Sequence, residues 1–440
     1  MISLYATVIT PRLEYIVQFL ETEMFGEKIH LESSQELFLK AAGFKINYSP
    51  YLFDDVFRIH PAGILHEKEI KEQFIQLFEY QKKKAFFATG GDYPFDIFSA
   101  IFYLLSRYEE YLPFEADSLG RFPHEASLAY KGGFLHEPLI NLWLNDFKNY
   151  LHEHYGYQHF RVRKFNCLLT YDIDIAFAYT NKPWWQVLGG GLKDIYHRRW
   201  NLVKERWNVA VNRQHDPYNV YEWLDAMHLY CRMPAYFFFL VAKKKKGLDR
   251  NISTKNRNFQ YLIEYYSKHH RVGLHPSIQA GRSYFHLKAE KEWLEVYTEK
   301  ETIHTRQHYL QLQFPKTYRR LIEVGLQKDF TMGYSNINGF RASVCSSFNW
   351  YDLQEEKITD LLVYPFCFMD AASFYHLKQT PQQAYHELVK YYDTIKRLNG
   401  LMISTWHNTI LSNGAMYTGW RDMYEIFMKD TVYWDAYSGS

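Results

Sequence analysis

From residue 161 onward, seven short apolar runs alternate with helix-period segments, and this alternation most narrows the folds open to the chain. The runs are "FNCLLTY" (165–171), "AYFFFLVA" (235–242), "HRVGLH" (270–275), "ETIHTR" (301–306), "NGFRAS" (338–343), "LLVYPF" (361–366) and "LMISTWH" (401–407). Strands separated by helical stretches return parallel, because each crossover carries the chain back to the same end of the sheet. The prediction is therefore a parallel β/α architecture, open or closed into a barrel. The clearest intervening helix is "TPQQAYHELVKYYDTIKRLNG" (380–400). Thr380 can cap it, Pro381 suits its first turn and Gly400 can end it. Ala384, Leu388, Tyr391, Ile395 and Leu398 fall on one apolar face.

The first 160 residues have a different texture and are expected to form a smaller α/β domain, with the main domain spanning 161–440. Short strands are predicted at "ISLYATVI" and "AFFAT", and one strong helix at 96–112, capped by Asp96 after Pro94. The polar cluster "SRYEEY" and the later "DSLGRF" (117–122) suggest a buried ion-pair network joining Arg107 or Arg121 to Glu109 or Glu110, the alternative being a ligand site.

The polar residues fall at the ends of the predicted strands. Asp172 and Asp174 follow "FNCLLTY", His275 ends "RVGLH", Arg306 and His308 follow "ETIHT", Arg341 follows "NGF" and His407 ends "LMISTW". One histidine after a strand is ordinary packing. Five strands each delivering an acid, a histidine or an arginine to the same end are better explained by a site, because strand C-termini of β/α folds carry the chemistry. Asp with His is a normal ligand set for zinc or a similar divalent ion. A second Asp can act as general base, a strand-end Arg can orient it, and a separate His can protonate a leaving group. That set describes metal-assisted hydrolysis of an amide or ester.

Composition excludes more than it assigns. With 51 Lys+Arg against 49 Asp+Glu, the net charge of +2 gives no general argument for nucleic acid or membrane. Cys167, Cys231, Cys345 and Cys367 form no C-x-x-C, so neither a disulfide scaffold nor a cysteine zinc site is expected, and a reducing compartment fits. The N-terminal stretch lacks the pattern of a signal peptide, and no run reaches the roughly 20 apolar residues of a membrane span; a cytoplasmic protein is expected. The lysine run "KKKKGLD" (243–249) reads as a solvated turn. "GGG" (189–191), without the Lys-Ser/Thr of a phosphate loop, reads as a flexible bend. The stretch 176–215 is long for a connection and is expected to form a helical insertion over the site. Trp184, Trp185, Tyr309, Trp350 and Trp406 can stack on a sugar face, with core packing as the alternative for each.

The ordered motifs "TYDID … GLHPS … RQHYL … GFR … WHN" resemble the polysaccharide deacetylases, the NodB-homology fold of carbohydrate esterase family 4. The likeness is greatest to a branch with an extra N-terminal domain, to which "FDIFSAIFYLLSRYEEYL" and "DSLGRF" belong. The resemblance implies a distorted (β/α) barrel over 161–440 and a divalent metal, usually zinc. It also implies removal of acetyl groups from N-acetylated sugars, so the expected partner is a carbohydrate, with no nucleic acid. Carried over by position, Asp172 is the base, Asp174 and His275 are metal ligands, and His407 is the general acid. Arg306 holds the base, Arg341 serves the same charge network, and the Tyr309 amide lies near the oxyanion. Tyr309 and Trp406 are expected to bind substrate. The second motif departs from the family: the position four residues after His275 is Gln279, a poor zinc ligand. His308 is the expected third ligand, with Gln279 or water as alternatives. The departure keeps two other functions open, a catalytically eroded protein that binds a glycan or partner, and an amidohydrolase acting on another small N-acyl or cyclic amide compound.

Overall fold

The computed structural model of the chain describes residues 1–243 and 247–433. The lysine run expected as a solvated turn falls across 244–246, outside the described residues. Two sheets, the smaller one parallel and the larger one mostly so, organise the rest.

The smaller sheet is built from β1 (Ile2–Ala6), β2 (Ile29–Glu32), β3 (Phe44–Tyr48) and β4 (Phe57–Arg58), ordered β2-β1-β3-β4 and parallel throughout. β1 lies centrally, and all five of its residues are buried, which explains its unbroken apolar texture. The helix Pro11–Leu20 follows it, with the Thr10 hydroxyl accepting from the Leu13 N–H. Beyond a short hairpin of β5 (Phe78–Tyr80) and β6 (Lys83–Ala85) comes the strong helix of the sequence. Asp96 caps it as expected, accepting from the Ser99 N–H, but it ends at Leu105 rather than Leu112. Arg107 takes a left-handed conformation (φ 54°) and Tyr108–Tyr111 form a 3₁₀ turn. That break turns Arg107 back onto Glu109 and Glu110, so the anticipated ion-pair network is present and buried.

The larger sheet has nine strands. In chain order they are β7 (Asn166–Ile173), β8 (Ala235–Leu240), β9 (Arg271–His275), β10 (His304–Thr305), β11 (Lys328–Asp329), β12 (Phe348–Asp352), β13 (Lys357–Val363), β14 (Phe368–Met369) and β15 (Leu401–His407). Their spatial order is β12-β13-β11-β10-β9-β8-β7-β15-β14, and only the β12–β13 pair is antiparallel. The ladder ends at β12 and β14, while backbone bonds from Phe366 N–H to Met332 O and from Cys367 N–H to Ile403 O (both 3.1 Å) carry the chain across between β11, β14 and β15. Alternation along the strands sorts side chains to two sides. Leu168, Tyr236, Phe238, Phe330, Phe366 and Ile403 meet on the inner side, while Leu169, Tyr171, Phe237, Phe239 and Met402 join the main core under the helices. At the C-terminal end of the inner side, apolar residues give way to Asp172, Arg306 and His407.

The predicted strands at 165–171, 235–242, 270–275, 361–366 and 401–407 are present within a few residues, and that at 301–306 shrinks to two. The one at 338–343 is absent. Its backbone is committed elsewhere: Gly339 N–H donates to Cys367 O, Phe340 N–H to Leu135 O, and Ser343 O accepts from Ile140 N–H. Helix 380–400 forms as Pro381–Arg397, and Gln383 returns Thr380's bond to complete a capping box. The stretch 176–215 contains two helices, Trp184–Tyr196 and Trp200–Ala210. Gly189–Gly191 are helical rather than a bend. A Cβ at Gly190 would lie 2.8 Å from Arg206 Nη2, so the small residue lets Arg206 cross over and pair with Asp194.

The first 160 residues pack onto β12 and β13. Tyr15 and Phe102 lie 5.0 and 5.3 Å from the Tyr351 ring, and Arg12, fully buried, pairs with Glu356 at 2.5 Å. All four cysteines are buried free thiols. Among the described residues, no helix is long and apolar enough to cross a membrane.

Candidate active site

The C-terminal ends of β7, β9, β10 and β15 converge on a cavity of about 620 Å³ lined by Asp172, Asp174, His275, His308 and His407. Asp172 is the last inward residue of β7. Its Oδ1 accepts from Arg306 Nη1 at 2.8 Å. Arg306 is fully buried, donates also to Thr170 Oγ1 and Phe330 O, and lies 4.8 Å from the Phe238 ring centroid. Every part of its fork is engaged, so the guanidinium is rigid and fixes the carboxylate. Asp172 Oδ2 faces the cavity, 4.0 Å from His407 Nε2.

Asp174, His275 and His308 form a cluster whose ligand atoms lie within 4.8 Å of one another. Each imidazole is fixed from behind. His275 Nδ1 donates to Arg306 O at 2.5 Å, and His308 Nδ1 to Asp249 Oδ1 at 2.9 Å. Both Nε2 atoms therefore turn toward Asp174, at 3.0 and 3.7 Å from its Oδ1. That oxygen is buried without a hydrogen bond of acceptable geometry. Burial favours the neutral acid, but His308 and His275 outweigh it and hold the Asp174 carboxyl well below the usual range. An orphaned carboxylate oxygen facing two back-bonded imidazoles is the donor set of a divalent cation site, and these residues fit one. Gln279 is not among them; its amide meets His286 Nε2 at 2.9 Å on the surface.

His407 is oriented by Asp370, which accepts from its Nδ1 at 2.6 Å and from its backbone N–H at 2.8 Å. Burial would lower the imidazole's pKa, but the Asp370 carboxylate and the two site aspartates lift it to about 9. Its Nε2 stands 3.8 Å from Asp174 Oδ2 and faces the cavity.

Other expectations meet different surroundings. Arg341 is not brought to this cluster. It is buried against Glu110, to which its Nε and Nη2 donate at 2.9 and 2.5 Å, because the 338–343 segment packs on residues 135–140 instead of joining the sheet. Trp406 is fully buried on the helix side, ringed by Tyr424 and Phe368. Strand alternation that aims His407 inward aims its neighbour outward, so Trp406 cannot touch a ligand in the cavity. Trp350 is likewise core, and Trp184 and Trp185 stand exposed on the insertion. Tyr309 does line the cavity, 40% exposed, in a left-handed conformation (φ 55°). Its carbonyl accepts from Arg121 Nη1 at 2.5 Å, so the 117–122 turn, with Leu119 and Arg121, supplies part of the cavity wall. His304, buried between Tyr236 and Phe330, is structural.

Two residues that position the site were not anticipated. Asp370 ends the apolar run "LLVYPFCFMD", the same signature of a strand-like run closed by an acid that marked "TYDID". Asp249 sits in the lysine-rich run and carries no periodic signal.

The segment 2–156 matches a family described as "Family of unknown function (DUF7033)". No curated protein matches the chain. Among solved structures, the chain is similar to a "putative polysaccharide deacetylase from Mycobacterium smegmatis" at 13% identity and TM-score 0.40, covering 61% of this chain and 84% of that one. It is also similar to a polysaccharide deacetylase from Bacillus cereus at 12% identity and TM-score 0.30, covering 61% and 88%.

Proposed function

We propose that this protein is a metal-dependent hydrolase that removes an acetyl group from an N-acetylated sugar or glycan precursor. In this reading residues 161–440 are a distorted (β/α) barrel that carries the chemistry, and residues 1–160 a separate domain packed against it. The observation that carries the reading is the division of labour in one cavity: a carboxylate with one oxygen held and one open, an imidazole oriented by a buried acid, and a cation-type donor set between them.

Asp174, His275 and His308 would hold the ion, zinc by the donor chemistry, and such an ion supplies Lewis-acid polarisation of the acetyl carbonyl and a more acidic water. The remaining steps belong to the chain. Asp172 Oδ1 is occupied by Arg306, so Oδ2 takes the proton from the attacking water. In this reading the backbone amide of Tyr309, which lines the cavity, meets the developing oxyanion. His407, kept protonated by Asp370, delivers a proton from Nε2 to the departing amine. Water and amide are thereby converted to acetate and a free amino sugar. The position of His308 beside Asp174 and His275, with Gln279 outside the cluster, supports this reading over an eroded site.

Elemental analysis and acetate release test this reading together. The wild-type protein is expected to carry about one divalent ion per chain and to release acetate from an N-acetyl sugar. Asp174→Ala, His275→Ala and His308→Ala should each lose the ion, whereas Gln279→Ala should keep it. A wild-type chain that takes up no divalent ion after supplementation would overturn the proposal. Asp370→Asn should keep the ion and the fold but lower acetate release by roughly 10²–10⁴-fold, since the imidazole loses both its orientation and its raised basicity; unchanged turnover would remove Asp370 from the mechanism.

A further inference from the structure

The helical hairpin 184–210 is built inside out. On Trp184–Tyr196, successive residues advance by about 100°, so Trp184, Trp185, Leu188, Leu192, Ile195 and Tyr196 share one arc of about 120°. All six are exposed, from 44% for Ile195 to 84% for Tyr196. The opposite side carries Gly190 and the buried Asp194, which receive Arg206 from the second helix. The second helix adds Trp200 and Trp207, each more than 60% exposed, while its Val209 is buried. An ordinary surface helix turns its apolar stripe to the core; Trp184–Tyr196 turns it to the outside, and Trp200 and Trp207 of the second helix are exposed as well.

The charges around the stripes have one sign. Lys193, Arg198, Arg199 and Lys204 are exposed. The only acids between 184 and 213 are Asp194 and Glu205, both buried, the first paired with Arg206 and the second accepting from the Tyr179 hydroxyl at 2.7 Å. We propose that this hairpin seats the protein on an anionic phospholipid surface, its Trp and Leu side chains entering the headgroup boundary and its cations meeting lipid phosphates. The helices, at 13 and 11 residues, are too short to span a bilayer and suit lying on one. A second copy is a poorer occupant, because a two-fold contact would set Arg198 and Arg199 near their own equivalents. Leu188, Leu192 and Ile195 offer no π-face on which nucleic-acid bases could stack. The inference does not depend on the proposed activity.

Cosedimentation of the full chain with phosphatidylcholine vesicles, with and without phosphatidylglycerol, tests it. Binding is expected on the anionic vesicles, weakened by salt. Combining Trp185→Ser, Leu188→Ser and Leu192→Ser should weaken it at least about tenfold, and Arg198→Glu with Arg199→Glu at least about twentyfold. Circular dichroism checks that these surface variants stay folded, and the salt dependence of the wild type tests the charge argument without any substitution. The proposal is overturned if wild type does not bind, if it binds both vesicles equally, or if it forms a dimer that the serine variant dissolves while neither protein sediments with lipid.

Discussion

Asp172→Asn is expected to lower acetate release by about 10²–10⁴-fold while leaving the metal in place, because Asp174, His275 and His308 are untouched. The same substitution is expected to weaken the fold. Arg306 is fully buried, and among the described residues Asp172 is the one carboxylate to which it donates. Asparagine can still accept from Nη1 but supplies no countercharge. Stripping a buried pair of one partner typically costs about 3–5 kcal/mol, so turnover should be measured below the variant's lowered melting temperature. Denaturant titration and elemental analysis separate the two effects. Full activity in a metal-loaded, folded variant would end the assignment of Asp172 as base.

Glu110→Ala is expected to cost about 3–5 kcal/mol of unfolding free energy. Glu110 is buried between two buried guanidiniums, accepting from Arg107 Nε at 2.8 Å and from Arg341 Nε and Nη2 at 2.9 and 2.5 Å. Arg107 would keep Glu109 as a partner, but Arg341 would be left with the Gly333 carbonyl. Adding Arg341→Met should therefore recover about half or more of the loss. The pair also sets a pH dependence. Burial works to raise the Glu110 pKa, but Arg341 and Arg107 more than offset it and hold the carboxyl below its ordinary value. Its contribution is present above about pH 4.3, the ordinary glutamate pKa, and is lost as pH falls through the depressed native value. Glu109 works the other way, its carboxyl raised by burial, so the acid-side loss in wild type should shrink when Glu110 is replaced. A Glu110→Ala chain within about 1 kcal/mol of wild type would show that the network is solvated in practice.

How far the sequence reaches is clear from particular residues. Strands whose side chains alternate between two buried sides announce themselves as apolar runs, and β7, β8, β9 and β15 were readable for that reason. Of the two-residue strands, β10 falls inside the predicted run 301–306 but keeps only His304 and Thr305, while β11 and β14 are set by neighbours rather than by local pattern. "NGFRAS" has strand composition, yet residues 135 and 140 claim its backbone. That tertiary choice, invisible along the chain, also carried Arg341 away from the cavity. The residues that line the candidate site were more legible than the short strands, because Asp172, Asp174, His275 and His407 each interrupt or close an apolar run and His308 follows a predicted strand end. Asp249 was hidden among lysines. Trp406 shows the limit of adjacency: one residue along a strand is the opposite side of a sheet.

The turn at 117–122 has a consequence for how such a chain can be reshuffled. Arg121 grips the Tyr309 carbonyl, Gly120 O accepts from Gln313, and Leu119 O accepts from Arg282. The stretch that matches a family of its own thus borders the cavity instead of trailing behind it as cargo. Exchanging this stretch for an unrelated one would reopen the cavity wall and leave Arg341 without Glu110: each portion supplies surface that the other lacks.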